Sequence, residues 1–498
     1  MSLNKNNTHF ESTDLDVDIE KKSARGGLVV FSAQFIKLFI QIISNIALAR
    51  LLTPSDFGLI AMVMAVTTFI VLFKDIGLSQ ATIQQKDITH KEINTLFWVN
   101  VSFSFIVMLI TVLIASSVAG FYGDERLTNV TIIFSLGLFF SGLSVQHQAL
   151  LRRQMKFKAL SIIDVASMGF GVLVAIIFAF LGFGYWSLVI LSLTTSVVTL
   201  FGVWIGCTWR PSRPKFNLEA LPMLKFGGYM TAYGFVNYFA RNLDNILIGW
   251  KHGAEALGNY SRAYSLLLLP IGQITAPLSA VAVPALSRLR GDDSRYCNFY
   301  FKIIKVIAYL TMPLIVFMCV FSKEIVLIVL GEQWGGAANI FMYLSFAAFW
   351  QPIASSAGWI YVSLNKPKNM LYWGLFSTMI MSLFFIAGLP YGAEGVAIGY
   401  SISMWLLIIP LFIYAFRNTP LLLSQLAKSI KYPLGLSIIM GVAAYFTKQL
   451  INDISNILIL FVGMCFCALT FALPYIFLTN FKVEINQLLH DLKSILRK

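Results

Sequence analysis

Runs of roughly 20 almost wholly apolar residues recur along this chain, and no other feature restricts its possible folds so severely. In lipid, a backbone must satisfy its own hydrogen bonds, which leaves helices for runs of this length. Counting them gives about fourteen, at 26–49, 56–78, 96–119, 128–150, 160–181, 185–207, 226–250, 257–286, 303–330, 337–362, 370–389, 395–416, 431–448 and 456–478. Composition excludes the soluble alternative: 58% of residues are hydrophobic, 12% are charged, and the mean hydropathy is +0.76. The fold class expected is an all-α polytopic membrane protein.

The net charge of +14 would suggest a nucleic-acid partner in a soluble protein. Its distribution gives a different answer. With the N-terminus inside, about 28 of the 37 Lys and Arg fall in alternate loops, such as Arg152, Arg153, Lys156 and Lys158 or Lys366 and Lys368. That bias places both termini in the cytoplasm and requires an even number of spans. The polar, acidic start has no apolar core ahead of a small-residue cleavage site, so residues 1–22 read as a cytoplasmic tail and not a signal peptide. Residues 481–498, with Ile485, Leu488, Leu489 and Leu492 beside Lys482, Lys493 and Arg497, read as an amphipathic helix at the cytoplasmic interface.

Around 208–222 the stretch TWRPSRPKFNLEALP divides the spans into an N-lobe at 23–208 and a C-lobe at 222–418, with two further helices at 428–480. The two lobes repeat. A shift of about 200 residues pairs Gly27 with Gly227, Asn45 with Asn245 and Gly58 with Gly258, and sets TPSDFG against GAEALG. Two six-helix halves of like orientation are a transporter architecture, with the substrate between them.

Polar groups inside spans mark where a substrate would bind. In the first helix Lys37, Gln41 and Asn45 stand at i, i+4 and i+8. In its counterpart Asn237, Arg241 and Asn245 repeat that spacing, with Asp244 beside them. These stripes are expected to face a wet cavity, joined there by Tyr233, Arg262 and Tyr264. For Arg241 and Asp244 an intrahelical ion pair is the alternative. Lys37 has no acid within one turn of its own helix, and Arg262 could instead snorkel to the interface. Pro270, Pro277 and Pro284 recur every seven residues on one face of the next helix and are expected to form a hinge or cavity wall.

No catalytic chemistry emerges. His9, His90, His147, His252 and His490 show no metal-site spacing, and Asp292-Asp293 reads as a solvated turn in a loop too small for a nucleotide-sugar domain. His147 is expected to be a hydrogen-bonded core residue. Five cysteines lie mostly in apolar runs and read as small core residues, while Trp186, Trp204, Trp209 and Trp250 read as interfacial belts. No metal, cofactor or nucleic-acid partner is expected.

ALARLLTPSDFGLIAMV, FKDIGLSQATIQQKDI, RNLDNILIGW, LGNYSRAYSLLLLP, GEQW at 331–334 and YGAEGVAIG at 391–399 together resemble the bacterial polysaccharide-transporter family. The resemblance covers nearly the whole chain and is nearest to exporters of colanic-acid-type exopolysaccharides and O-antigen repeat units. That family belongs with the lipid II flippases and multidrug-extrusion proteins. It implies two six-helix lobes, a central cavity and two C-terminal helices. For function it implies a flippase, not an enzyme, that moves an undecaprenyl-pyrophosphate-linked oligosaccharide across the inner membrane. Membrane lipids, a polysaccharide polymerase and export machinery are the other partners it suggests. Lys37, Arg241 and Arg262 would meet the pyrophosphate, and the amides and tyrosines the sugar. A cation-coupled drug exporter of the same superfamily is the first rival reading, although a carrier of cationic drugs wants an acidic cavity. An integral-membrane polymerase is the second, disfavoured by the lack of a large hydrophilic loop.

Overall fold

The computed structural model describes residues 19–71, 82–83, 88–214, 221–450 and 455–477. The expected tails at 1–22 and 481–498 lie, but for residues 19–22, outside that description. Every regular element described is helical. In chain order the α-helices are α1 (Ile19–Leu51), α2 (Pro54–Val71), α3 (His90–Tyr122), α4 (Arg126–Arg153), α5 (Phe157–Phe180), α6 (Trp186–Gly206) and α7 (Leu221–Arg288). There follow α8 (Asp293–Val320), α9 (Ser322–Val329), α10 (Gly335–Ser355), α11 (Ala357–Ser363), α12 (Pro367–Gly388), α13 (Gly392–Phe416), α14 (Leu423–Leu450) and α15 (Asn456–Phe477). Among the described residues nine helical stretches are long and apolar enough to cross a membrane, and two of them, Asn242–Arg288 and Pro367–Phe416, have the length of two crossings each. Phe180, Ile205 and Leu113, each 73% exposed or more, belong to an apolar outer surface that only lipid can cover.

Local chemistry explains where the helices begin and end. Thr89 and Glu92 form a reciprocal box at the start of α3, and Gly123, left-handed at φ 71°, ends that helix. At the start of α2 Asp56 accepts from the Thr53 amide at 2.8 Å and returns its own amide to the Thr53 hydroxyl at 3.3 Å. Asp292 caps α8 by accepting the Arg295 amide at 3.0 Å, so the Asp292-Asp293 turn has a structural task. Lys366 donates to the Arg417 and Asn418 carbonyls just past the end of α13, and partial burial there holds its pKa below the usual lysine value. The span expected at 303–330 is two helices, α8 and α9, with Phe321 at the joint.

The chain forms two compact units, Met1–Gly258 and Asn259–Lys498. In the first, α3 packs on α4, α5 on α6, α1 on α5 and α4 on α6. Its core near the ends of α3, α4 and α6 is aromatic: His147 stacks on Trp204 at 4.6 Å, with Phe97 and Trp209 edge-on to it. Trp209, expected in an interfacial belt, is fully buried and donates to His90 Nδ1 at 3.0 Å. It is buried because Arg210 folds back on the end of α6, giving its guanidinium to the Trp204, Cys207 and Trp209 carbonyls. The following backbone is then tied to α3, where Asn94 accepts from the Ser212 amide at 2.8 Å and donates to the Arg213 carbonyl at 3.1 Å. The start of the expected linker is therefore fastened down. Cys207 is buried as expected, whereas Cys465 is exposed on the outer face of α15, where an apolar thiol can meet lipid.

The repeat seen in the sequence reappears as contact. Gly58, at the start of α2, lies against the Ala254 backbone carbonyl, and Gly258 lies against the carbonyl of Pro54. Each contact is the other shifted by 200 residues, as in an isologous interface. A Cβ at either glycine would occupy the space of the opposing carbonyl. The approach is possible because Gly253, at φ 79°, breaks the helical torsions of α7 and turns the chain there.

In the second unit α12 packs on α13, α8 on α14 and α10, and α10 on α13. Phe321, Ala444 and Ile459 form a small core that joins α14 and α15 to the end of α8.

Candidate functional site

Lys37 is carried on α1, within the apolar stretch Ser32–Leu51 of that helix. Its ammonium lies 3.5 Å from Asp164 on α5, with the two side chains 30% and 53% exposed. Within one turn of its own helix Lys37 has no acid, as expected. Tertiary packing of α1 on α5 supplies one from 127 positions further along. Asp164 was missed, although a lone acid in the apolar run SIIDVASMGFG is itself a signal.

Beside this pair, α1 and α5 leave a groove of about 460 Å³, walled chiefly by Val29, Ala33, Ile36, Ile162, Val165 and Ala166, with Ser32 and Ser161 as its polar members. Gln41 is exposed on α1 and Asn45 half-buried. On α7 Asp244 is only 6% exposed and accepts the Asn245 amide at 2.8 Å, and Asn245 is half-buried. The side chains of Tyr233, Asn237 and Arg241 lie outside the described residues, so the expected meeting of Arg241 with Lys37 does too.

Arg262 and Tyr264, also on α7, fall in the second unit and are half-buried. The Tyr264 hydroxyl accepts from Gln351 of α10 at 3.3 Å and lies 3.4 Å from the Tyr400 hydroxyl of α13. These two partners were not singled out in the sequence. Neither helix shows a polar stripe, and only the packing brings three distant positions to one point. Pro270, Pro277 and Pro284 lie inside the continuous second half of α7. Among the described residues no three His, Cys, Asp or Glu side chains gather as a metal site would require.

The fold is that of known flippases and exporters. A lipid II flippase, MurJ, in an inward closed conformation superposes with a TM-score of 0.72 at 15% identity, over 90% of this chain and 99% of that one. An inward-facing multidrug resistance MATE family transporter of the MOP superfamily matches at 0.62 and 15% identity, over 80% of this chain and 99% of its own. In sequence, the lipopolysaccharide biosynthesis protein WzxC of Escherichia coli K12 is 22% identical over 77% of this chain and 79% of its own length. The teichuronic acid biosynthesis protein TuaB of Bacillus subtilis is 26% identical over 82% and 85%. The succinoglycan biosynthesis transport protein ExoT of Rhizobium meliloti is 25% identical over 58% and 59%. The pattern of the polysaccharide biosynthesis protein family matches residues 47–339, more than half of the 498, and this multi-pass membrane protein belongs to that family.

Proposed function

We propose that this protein is a flippase of the cytoplasmic membrane that carries an undecaprenyl-pyrophosphate-linked oligosaccharide to the opposite leaflet by alternating access, for assembly of a surface polysaccharide. The observation that carries the reading is Lys37: an ammonium inside an apolar span, part-exposed, beside a groove with almost no polar lining. Charge at that depth is costly, about 2.5–3.5 kcal/mol by the lower estimates for a central Lys or Arg, and is retained where it meets a substrate or partner. A lipid-linked pyrophosphate has both things such a site suits, an anion and a long apolar chain. The biosynthetic names of the relatives and the shared flippase fold support the same reading. A cationic first span suits an anionic cargo better than the cationic drugs of the rival reading.

Arg241 is proposed to act with Lys37 on the same pyrophosphate, as its counterpart in the repeat. Complementation of a flippase-null strain, normalised to membrane protein level, tests this. Arg241→Ala should abolish export and Arg241→Lys should keep part of it, since lysine retains the charge but not the bidentate fork. Full export by well-expressed Arg241→Ala would end the proposal. The basic loops support cytoplasmic termini, so a cysteine placed at Lys156 or Lys366 should label from the cytoplasm and one at Asp124 from the other face.

A further inference from the structure

Resting on that reading, we infer that the groove between α1 and α5 holds the phosphate-proximal part of the substrate's isoprenoid chain. Its phosphate binds Lys37, and Asp164 is the counter-ion that the phosphate displaces. Four observations converge on this assignment. The groove, at about 460 Å³, falls within the size range of small-molecule sites, roughly 300–1,000 Å³. Its walls offer a hydrocarbon chain contact and almost nothing to a polar ligand. Ala33 and Ala166, on opposite sides, keep it open because their side chains are short. Lys37 lies one helical turn beyond Ala33 on the same face of α1, and Asp164 lies between the groove residues Ile162 and Val165 on α5, so the charged pair borders the apolar wall.

The ion pair has the looseness that exchange requires. At 3.5 Å, with Asp164 53% exposed, the contact is long and not enclosed by the rest of the protein. A phosphate replacing it brings more charge and more acceptor oxygens to the same ammonium. A neutral chain would not need Lys37, and a free anion would leave the groove empty. A polyprenyl phosphate uses both.

The test takes the full-length protein in phosphatidylcholine nanodiscs with a diazirine-bearing undecaprenyl phosphate that carries no sugar. Cross-links should map to α1 and α5. Ala33→Trp and Ala166→Trp, each filling the groove, should remove those cross-links while the thermal melting of the protein stays unchanged. Lys37→Gln should weaken binding about tenfold, the loss expected of one charge-assisted contact. Asp164→Asn should tighten binding several-fold, because it removes the competing anion. That sign is decisive: a pair present only to hold α1 to α5 would lose binding when either partner is changed. Weaker binding by Asp164→Asn, cross-links elsewhere, or equal displacement by phosphatidylglycerol, which would mark ordinary boundary lipid, each overturns the assignment. No sugar and no transport enters the measurement. An unaltered protein that shows this binding pattern yet does not complement oligosaccharide export would count against the flippase reading alone.

Discussion

The Lys448–Glu324 and Lys37–Asp164 pairs both join apolar helices, and they are built to opposite ends. Lys448 of α14 meets Glu324 of α9 at 2.8 Å, donates a second bond to the Val320 carbonyl at 2.9 Å and stands over the Phe321 ring at 5.8 Å. Its partner carboxylate is 5% exposed. Phe321 in turn packs against Gly463 of α15, where no larger residue would fit. That pair fastens the last two helices of the second unit. Lys37 and Asp164 are farther apart and more exposed. The contrast teaches that burial and supporting bonds, not the presence of a charge in a span, separate a fastening from a working site.

The largest effect on stability should come from Lys448→Met. It leaves the Glu324 carboxylate buried without its counter-ion, a change that costs about 3–5 kcal/mol in comparable buried pairs. Thermal melting in detergent and membrane protein level should both fall. Lys448→Met with Glu324→Leu should recover most of the loss, since two apolar side chains bury no unpaired charge. If the single change were harmless, the second pair would be no fastening and the contrast would collapse.

Lys37→Gln is expected to do the reverse. Its stability cost should stay within about 1 kcal/mol, as for exposed pairs, while export in the complementation assay is lost. A large drop in melting temperature would make Lys37 and Asp164 another structural clamp. Exchanging the two residues, Lys37→Asp with Asp164→Lys, sharpens the point: the pair is restored but the ammonium now stands on α5. Stability should return to that of the parent protein and export should not.

Smallest of all is the exposed pair at the α3–α4 turn, where Arg126 bonds both oxygens of Asp124, the shorter at 2.7 Å. Those hydrogen bonds hold the Asp124 pKa below the usual carboxylate value. A depressed folded-state pKa adds stability above the unfolded value, and that contribution is lost as pH falls through the folded one. Asp124→Asn should therefore cost about 0.2–1 kcal/mol at neutral pH and nothing in strong acid, read from melting curves across that range.

Much of this protein follows from its sequence alone. Apolar runs of bilayer length force helices that cross a membrane, since no other backbone arrangement of such runs is satisfied in lipid. The helix starts at Thr53 and Thr89 are local chemistry within three residues, and the 200-residue repeat already paired Gly58 with Gly258. Lys37 could be singled out because a charge in an apolar run is conspicuous wherever the run ends up. What the sequence did not determine is partnership. Asp164 beside Lys37, Gln351 and Tyr400 beside Tyr264, and Trp209 under the turn made by Arg210 each join positions separated by many residues or by a change of chain direction. Helical periodicity reports which face a residue occupies, not which other helix lies against that face. That choice belongs to packing, and with it the decision whether a charge in a span is fastened or left free to bind.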